Sequence, residues 1–189
     1  QYIDAKPIPT VTATSITCLG GSVAAADTTA YGIDALLNNT SVAVDNTAVG
    51  YRCMYLNTGA TNNTAVGSQA LRNNNANENT AIGFNTMYNN LSGTSNTAVG
   101  NLAAYQSTAN SGITAIGDMA AYNNSADYVT AIGSGTLIAN TAAGSTAIGF
   151  DALNANTSGI ENTAIGYNTS LTATTSAGNT VIGYAAASA

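Results

Sequence analysis

One unit recurs ten times along this chain, and a repeat of that length restricts the possible folds more than any other property of the sequence. The unit reads Thr-Ala-(Ile/Val)-Gly, then two variable residues, then a small residue followed by Leu, Met or another small one. Its glycines are Gly32, Gly50, Gly67, Gly83, Gly100, Gly117, Gly133, Gly149, Gly166 and Gly183. They stand 18, 17, 16, 17, 17, 16, 16, 17 and 17 residues apart, a nearly constant period. Three residues before the glycine lies Thr in every unit: Thr29, Thr47, Thr64, Thr80, Thr97, Thr114, Thr130, Thr146, Thr163 and Thr180. The residue two before is Ala in nine units, and the residue just before is Ile or Val in nine, Tyr31 being the exception. Asn46, Asn63, Asn79, Asn96, Asn162 and Asn179 stand four before it.

A short β-branched stretch closed by Gly suits a strand and is too short for a helix. Side chains alternate across a strand, so Thr and Ile/Val share one face while Ala and Gly share the other. The bulkier pair is expected to point into the coil, leaving a smooth Ala/Gly face for a neighbouring backbone. A second short strand is expected at segments such as Ala70-Leu71, Thr86-Met87 and Ala152-Leu153, and the Asn-, Ser-, Thr- and Gly-rich remainder is turn chemistry. A lone unit cannot bury its apolar residues, but units stacked in register pair each strand with the coil above and below. The fold class is therefore all-β, a β-solenoid of about ten coils of 16 to 18 residues, roughly 50 Å long at the usual strand spacing. Identical residues then form ladders, with Thr47, Thr64, Thr80, Thr97, Thr114, Thr130, Thr146 and Thr163 in one column and the glycines from Gly50 to Gly166 in another. An Asn column can be knit by amides donating along the axis.

Nine of the twelve aromatic residues fall at two repeat positions. Tyr51, Phe84, Phe150, Tyr167 and Tyr184 follow the glycine directly, and Tyr55, Tyr88, Tyr105 and Tyr122 come five after it. Corner packing over the coil accounts for them, with a ligand-binding platform as the alternative.

Charge narrows the function. Only three cations, Lys6, Arg52 and Arg72, stand against nine acidic residues, too few for the basic stripe that neutralises nucleic-acid phosphates or an acidic membrane. Nucleic acid is not an expected partner, and no apolar run of about 20 residues suggests membrane insertion. The chain has no His, which removes a His base or His metal ligand. The carboxylates are scattered singly without calcium-loop spacing; Asp34 and Asp151 share a repeat position and read as solvated turn residues. No Gly-Lys-Ser/Thr or dinucleotide fingerprint accompanies the glycines. No catalytic residue, metal site or cofactor is expected, and the protein reads as non-enzymatic.

The N-terminal residues 1–27 depart from the repeat and hold Pro7 and Pro9, followed by a strand-like run from Thr10 to Thr17. They read as an arm that covers an edge, either of its own first coil or of a neighbouring subunit. Residues 28–189 form the repeat domain. A chain beginning at Gln1 fits secretion or trimming, and the last unit, without a polar cap, fits a junction with another subunit or a longer chain. Cys18 and Cys53 permit one disulfide between arm and coil, the alternative being two unpaired small apolar residues.

Stretches such as Asn46 to Met54 and Asn63 to Leu71, reading Asn-Thr-Ala-Val-Gly-x-x-small-Leu/Met, resemble the head repeats of trimeric autotransporter adhesins. They are similar also to repeats of phage tail-fibre and related surface proteins, and the resemblance covers about residues 28 to 187. It implies a left-handed parallel β-roll, assembly as a trimer, and a role in surface attachment. The expected function is thus a structural subunit of an extracellular, cell-surface or virion-surface fibre or filament, its partner a second copy of itself in a trimer or filament. An adhesin or receptor-binding tail-fibre segment, with a host surface glycan or protein as partner, is the first alternative. An ice-binding protein is the second; the expectation that the threonines face inward counts against it.

Overall fold

The computed structural model describes residues 27–40, 42–154, 156–169 and 175–187. The expected arm, apart from Asp27 at its end, and Cys18 lie outside the described residues. The described chain contains ten strands and no helix: β1 Thr29–Tyr31, β2 Thr47–Val49, β3 Thr64–Val66, β4 Thr80–Ile82, β5 Thr97–Val99, β6 Thr114–Ile116, β7 Thr130–Ile132, β8 Thr146–Ile148, β9 Thr163–Ile165 and β10 Thr180–Ile182. They form one parallel sheet in sequential order, β1 to β10, and the chain is a β-solenoid. Register is strict: Thr47 opposes Thr64, Ala48 opposes Ala65 and Val49 opposes Val66, and the same register holds at every pair, with Tyr31 and Val181 the departures in residue type. A repeating sequence enforces this, because a slip by one residue would place every side chain on the wrong face.

The faces are reversed from the sequence expectation. Ala48, Ala65, Ala81, Ala98, Ala115, Ala131, Ala147 and Ala164 are fully buried inside the coil. The flanking Thr and Ile/Val point outward, so that β3 and β4 both run half-buried, buried, exposed. Volume decides this. Leu36, Met54, Leu71, Met87, Leu137 and Leu153, four residues after their glycines, are wholly buried and supply the bulk of the core. In a coil this short, little more than a methyl group from the strand fits beside them without overpacking.

The glycine column is explained by the same stacking. A Cβ built on Gly67 would sit 2.2 Å from the Gly83 carbonyl oxygen, and one on Gly100 2.3 Å from that of Gly117. The backbone that approaches the glycine closely is the next coil of the same chain rather than a neighbouring rod.

The second segment of each coil is a turn rather than a strand. Gln69 and Leu71 adopt φ of 59° and 47°, and Asn85 and Met87 adopt 52° and 48°. Each left-handed residue costs roughly 1–2 kcal/mol, comparable with the ~1.5–3 kcal/mol gained by burying a Leu or Met side chain. The ladder continues through these turns, with Leu71 N–H donating to the Thr86 carbonyl at 3.0 Å and Gln69 N–H to the Tyr51 carbonyl at 2.8 Å. Backbone groups that would otherwise be orphaned in the bends are thereby paired along the axis.

Candidate functional site

Repetition turns each outward position of the unit into a column along the rod, and these columns are the surfaces through which the protein can act. On the sheet face, Thr47, Thr64, Thr80, Thr97, Thr114, Thr130, Thr146 and Thr163 align in one column. Parallel to it runs Val49, Val66, Ile82, Val99, Ile116, Ile132, Ile148 and Ile165. Val66, Ile82 and Ile116 expose 37%, 41% and 38% of their surface, large values for apolar residues inside a sheet. No charged residue occupies either column. Next to them, Phe150, Tyr167 and Tyr184 stack with centroids 5.2 and 5.4 Å apart.

Inside the rod, two columns of asparagine knit the coils. Asn63 Nδ2 donates to Asn46 Oδ1 at 3.1 Å, as does Asn179 to Asn162 at 3.0 Å, while Asn79 and Asn96 are joined to the preceding Oδ1 through their backbone N–H, so the expected side-chain ladder is present in part. It is interrupted where Ile113, Val129 and Ser145 take the Asn position. The second column, seven residues after each glycine, comprises Asn39, Asn57, Asn74, Asn90, Asn124, Asn140 and Asn156, all buried. Asn57 donates to Asn39 at 3.1 Å, Asn90 to Asn74 at 2.9 Å, and Asn156 to Asn140 at 3.1 Å. Sequence reasoning passed over this column as loop composition, although its constant offset from the glycine marks it. Ser107 stands in the same place, and its buried Oγ has no hydrogen-bond partner.

At the turn, a further column of aromatic and cationic side chains forms. Tyr88, Tyr105 and Tyr122 stack at 5.3 and 5.2 Å. Burial, and next the neighbouring Tyr88 and Tyr122, raise the Tyr105 phenol pKa. The Arg72 guanidinium lies 5.2 Å from the Tyr55 ring centroid and 5.4 Å from that of Tyr88. Arg52 lies over Tyr51 and Tyr55 at 5.1 and 5.4 Å and pairs with Asp34 at 3.2 Å. Asp34 is therefore an ion-pair partner rather than a free turn carboxylate, while Asp151 accepts a bond from Asn154 Nδ2 at 3.1 Å. The half-exposed Arg52–Asp34 pair adds little stability.

No protein-family model matches the chain, and neither a curated protein nor a solved structure matches it. Its own geometry must therefore carry the functional argument. Among the described residues, no three His, Cys, Asp or Glu side chains cluster as metal ligands. No described helix is long and apolar enough to cross a membrane. Cys53 is a buried thiol whose Sγ donates to the Ala65 carbonyl at 3.2 Å, and burial pushes its pKa up to about 12. Its expected partner, Cys18, falls outside the described residues.

Proposed function

We propose that the chain is a non-enzymatic structural subunit of an extracellular, cell-surface or virion-surface fibre, whose copies associate laterally through the Thr–Ile/Val face. The observation that supports this is the outward Ile/Val column, continuous from β2 to β9 and free of charge. A stripe as long as the rod is best covered by a surface with the same repeat, and another copy has one. The sheet face measures about 45 Å by 10 Å. Stable partners bury roughly 800 Å² each, so Tyr51, Phe84 and Phe150, exposed beside the stripe, would have to join the contact. The resemblance to autotransporter heads favours three copies.

The test is the mass in solution of the wild-type chain and of an Ile82→Asp/Ile116→Asp/Ile148→Asp variant. This reading expects the wild type to be a trimer or filament and the variant to be a folded monomer. A wild-type monomer at micromolar concentration would refute it.

The outward threonines support a second reading, an ice- or crystal-surface binder, because the column that was expected to be hidden faces solvent. That reading requires a monomer whose thermal hysteresis is lost on replacing Thr97 and Thr114 by Leu.

A further inference from the structure

The aromatic–cationic column continues for five successive coils without a break: Tyr55, Arg72, Tyr88, Tyr105 and Tyr122. All five side chains are partly exposed. Where neighbouring groups meet, they are 5.2 to 5.4 Å apart, about the advance of one sugar unit in an extended polysaccharide. Beside them, one residue further on, lies a column of amides: Asn73, Asn89, Gln106 and Asn123. Asn73 Nδ2 donates to Asn89 Oδ1 at 2.7 Å, which aligns the planar groups along the axis. Phenol hydroxyls and planar amides together supply donors and acceptors in the pattern that sugar hydroxyls need.

Electrostatics adds a sign. The chain has a net charge of −6, yet of the only two cations among the described residues Arg72 lies on this strip and Arg52 against its Tyr55 ring. Arg52 is neutralised by Asp34, and no ion pair joins Arg72 to a carboxylate among the described residues. The Arg72 guanidinium donates through one terminal nitrogen to Asn73 Oδ1 at 3.0 Å, while its Nε is buried without a partner. Neither the tyrosine column nor the amide column contains an acidic residue. A guanidinium held between two rings, with no internal counter-charge, suits a carboxylate brought by a ligand.

We infer that this strip binds a linear, uronate-bearing polysaccharide lying along the rod, with the tyrosine edges and amides tracking successive sugars and Arg72 holding one carboxylate. The site does not depend on lateral assembly, because it occupies a different part of the coil from the Thr–Ile/Val face. Four of the chain's ten tyrosines, Tyr55, Tyr88, Tyr105 and Tyr122, lie on the strip, and with no tryptophan present their response adds to the tyrosine fluorescence.

The experiment titrates the full chain with alginate oligosaccharides, following tyrosine fluorescence and isothermal heat. Cellohexaose serves as the uncharged comparison. Saturable binding is expected, weakened about tenfold or more in Arg72→Gln, the worth of one charge-assisted contact. Gln106→Ala and Tyr122→Leu should weaken binding without altering the circular dichroism, and Ile160→Ser, exposed and outside both the strip and the lateral face, should leave it unchanged. The proposal is overturned if the wild-type chain fails to bind alginate, if it binds cellohexaose equally well, or if Tyr122→Leu and Gln106→Ala both bind as the wild type does. The last two variants keep the test decisive should Arg72→Gln fail to fold.

Discussion

Replacing Gly100 by Ala tests the close stacking of the glycine column. The added Cβ would meet the Gly117 carbonyl oxygen at 2.3 Å and its carbon at 2.7 Å, both backbone atoms that cannot rotate away. At φ of +137° the residue also occupies a region that side chains disfavour, at a cost of order 1–3 kcal/mol. Relieving the clash means parting two coils, which lengthens the bonds Gly117 N–H to Val99 O, 2.8 Å, and Met119 N–H to Asn101 O, 2.9 Å. At about 1 kcal/mol each, the total reaches about 3–5 kcal/mol. Two other glycines provide internal references. Gly59 has nothing within 4 Å of its Cβ position and no positive φ, so Ala there should be neutral or stabilise by about 0.4–1 kcal/mol. Gly178 has equal space but a φ of +68°, so Ala should cost roughly 1–2 kcal/mol from the left-handed backbone alone. Urea unfolding followed by circular dichroism ranks the three. The reasoning is refuted if Gly100→Ala unfolds at the midpoint of Gly59→Ala, or if Gly178→Ala is the more damaging.

Three more outcomes follow from the interior. Ser107→Asn completes the amide column between Asn90 and Asn124 and should raise stability by about 1 kcal/mol; a lowered unfolding midpoint would show that the site cannot accept the longer side chain. Ala65→Leu, aimed into a coil already filled by Leu71, should cost about 1–3 kcal/mol or more, whereas Val66→Thr on the outer face should leave the unfolding of the isolated monomer nearly unchanged; equal effects of the two would contradict the assignment of faces. Cys53, with its pKa raised to about 12, should resist thiol reagents at mildly alkaline pH until the chain unfolds. Since the folded state holds this proton more tightly, its contribution to stability is full below the ordinary thiol value near 9.0 and is lost as pH rises from there toward 12. Rapid labelling of the folded chain would refute the burial.

The period, the strands and their register could be read from the sequence because each depends on spacing alone, and ten glycines fix that spacing. The direction of the faces could not. Alternation divides Thr and Val from Ala, but which set points inward depends on how much room the other side of the coil leaves, and Leu71 or Met87 takes most of it. The turn at Gln69 to Leu71 was hidden for a related reason: a Leu at φ of 47° is disfavoured on its own and persists because stacking buries its side chain and pairs its N–H. The Thr column was legible as a ladder, but its outward aspect was not, and that aspect is what returns ice binding to consideration. The Arg72 sandwich depends on Tyr55 and Tyr88 lying in the coils on either side of that of Arg72, a proximity that the register creates.

The most direct test of the central claim places single cysteines on the two sides of β6, in a chain carrying Cys18→Ala and Cys53→Ala. The account predicts that Ile116→Cys forms disulfide-linked copies under mild oxidation, while Ala115→Cys stays reduced and unlabelled in the folded protein. Maleimide labelling of Ala115→Cys, together with an Ile116→Cys that neither labels nor cross-links, would place the apolar column inside the coil and contradict both the assignment of faces and the assembly built on it.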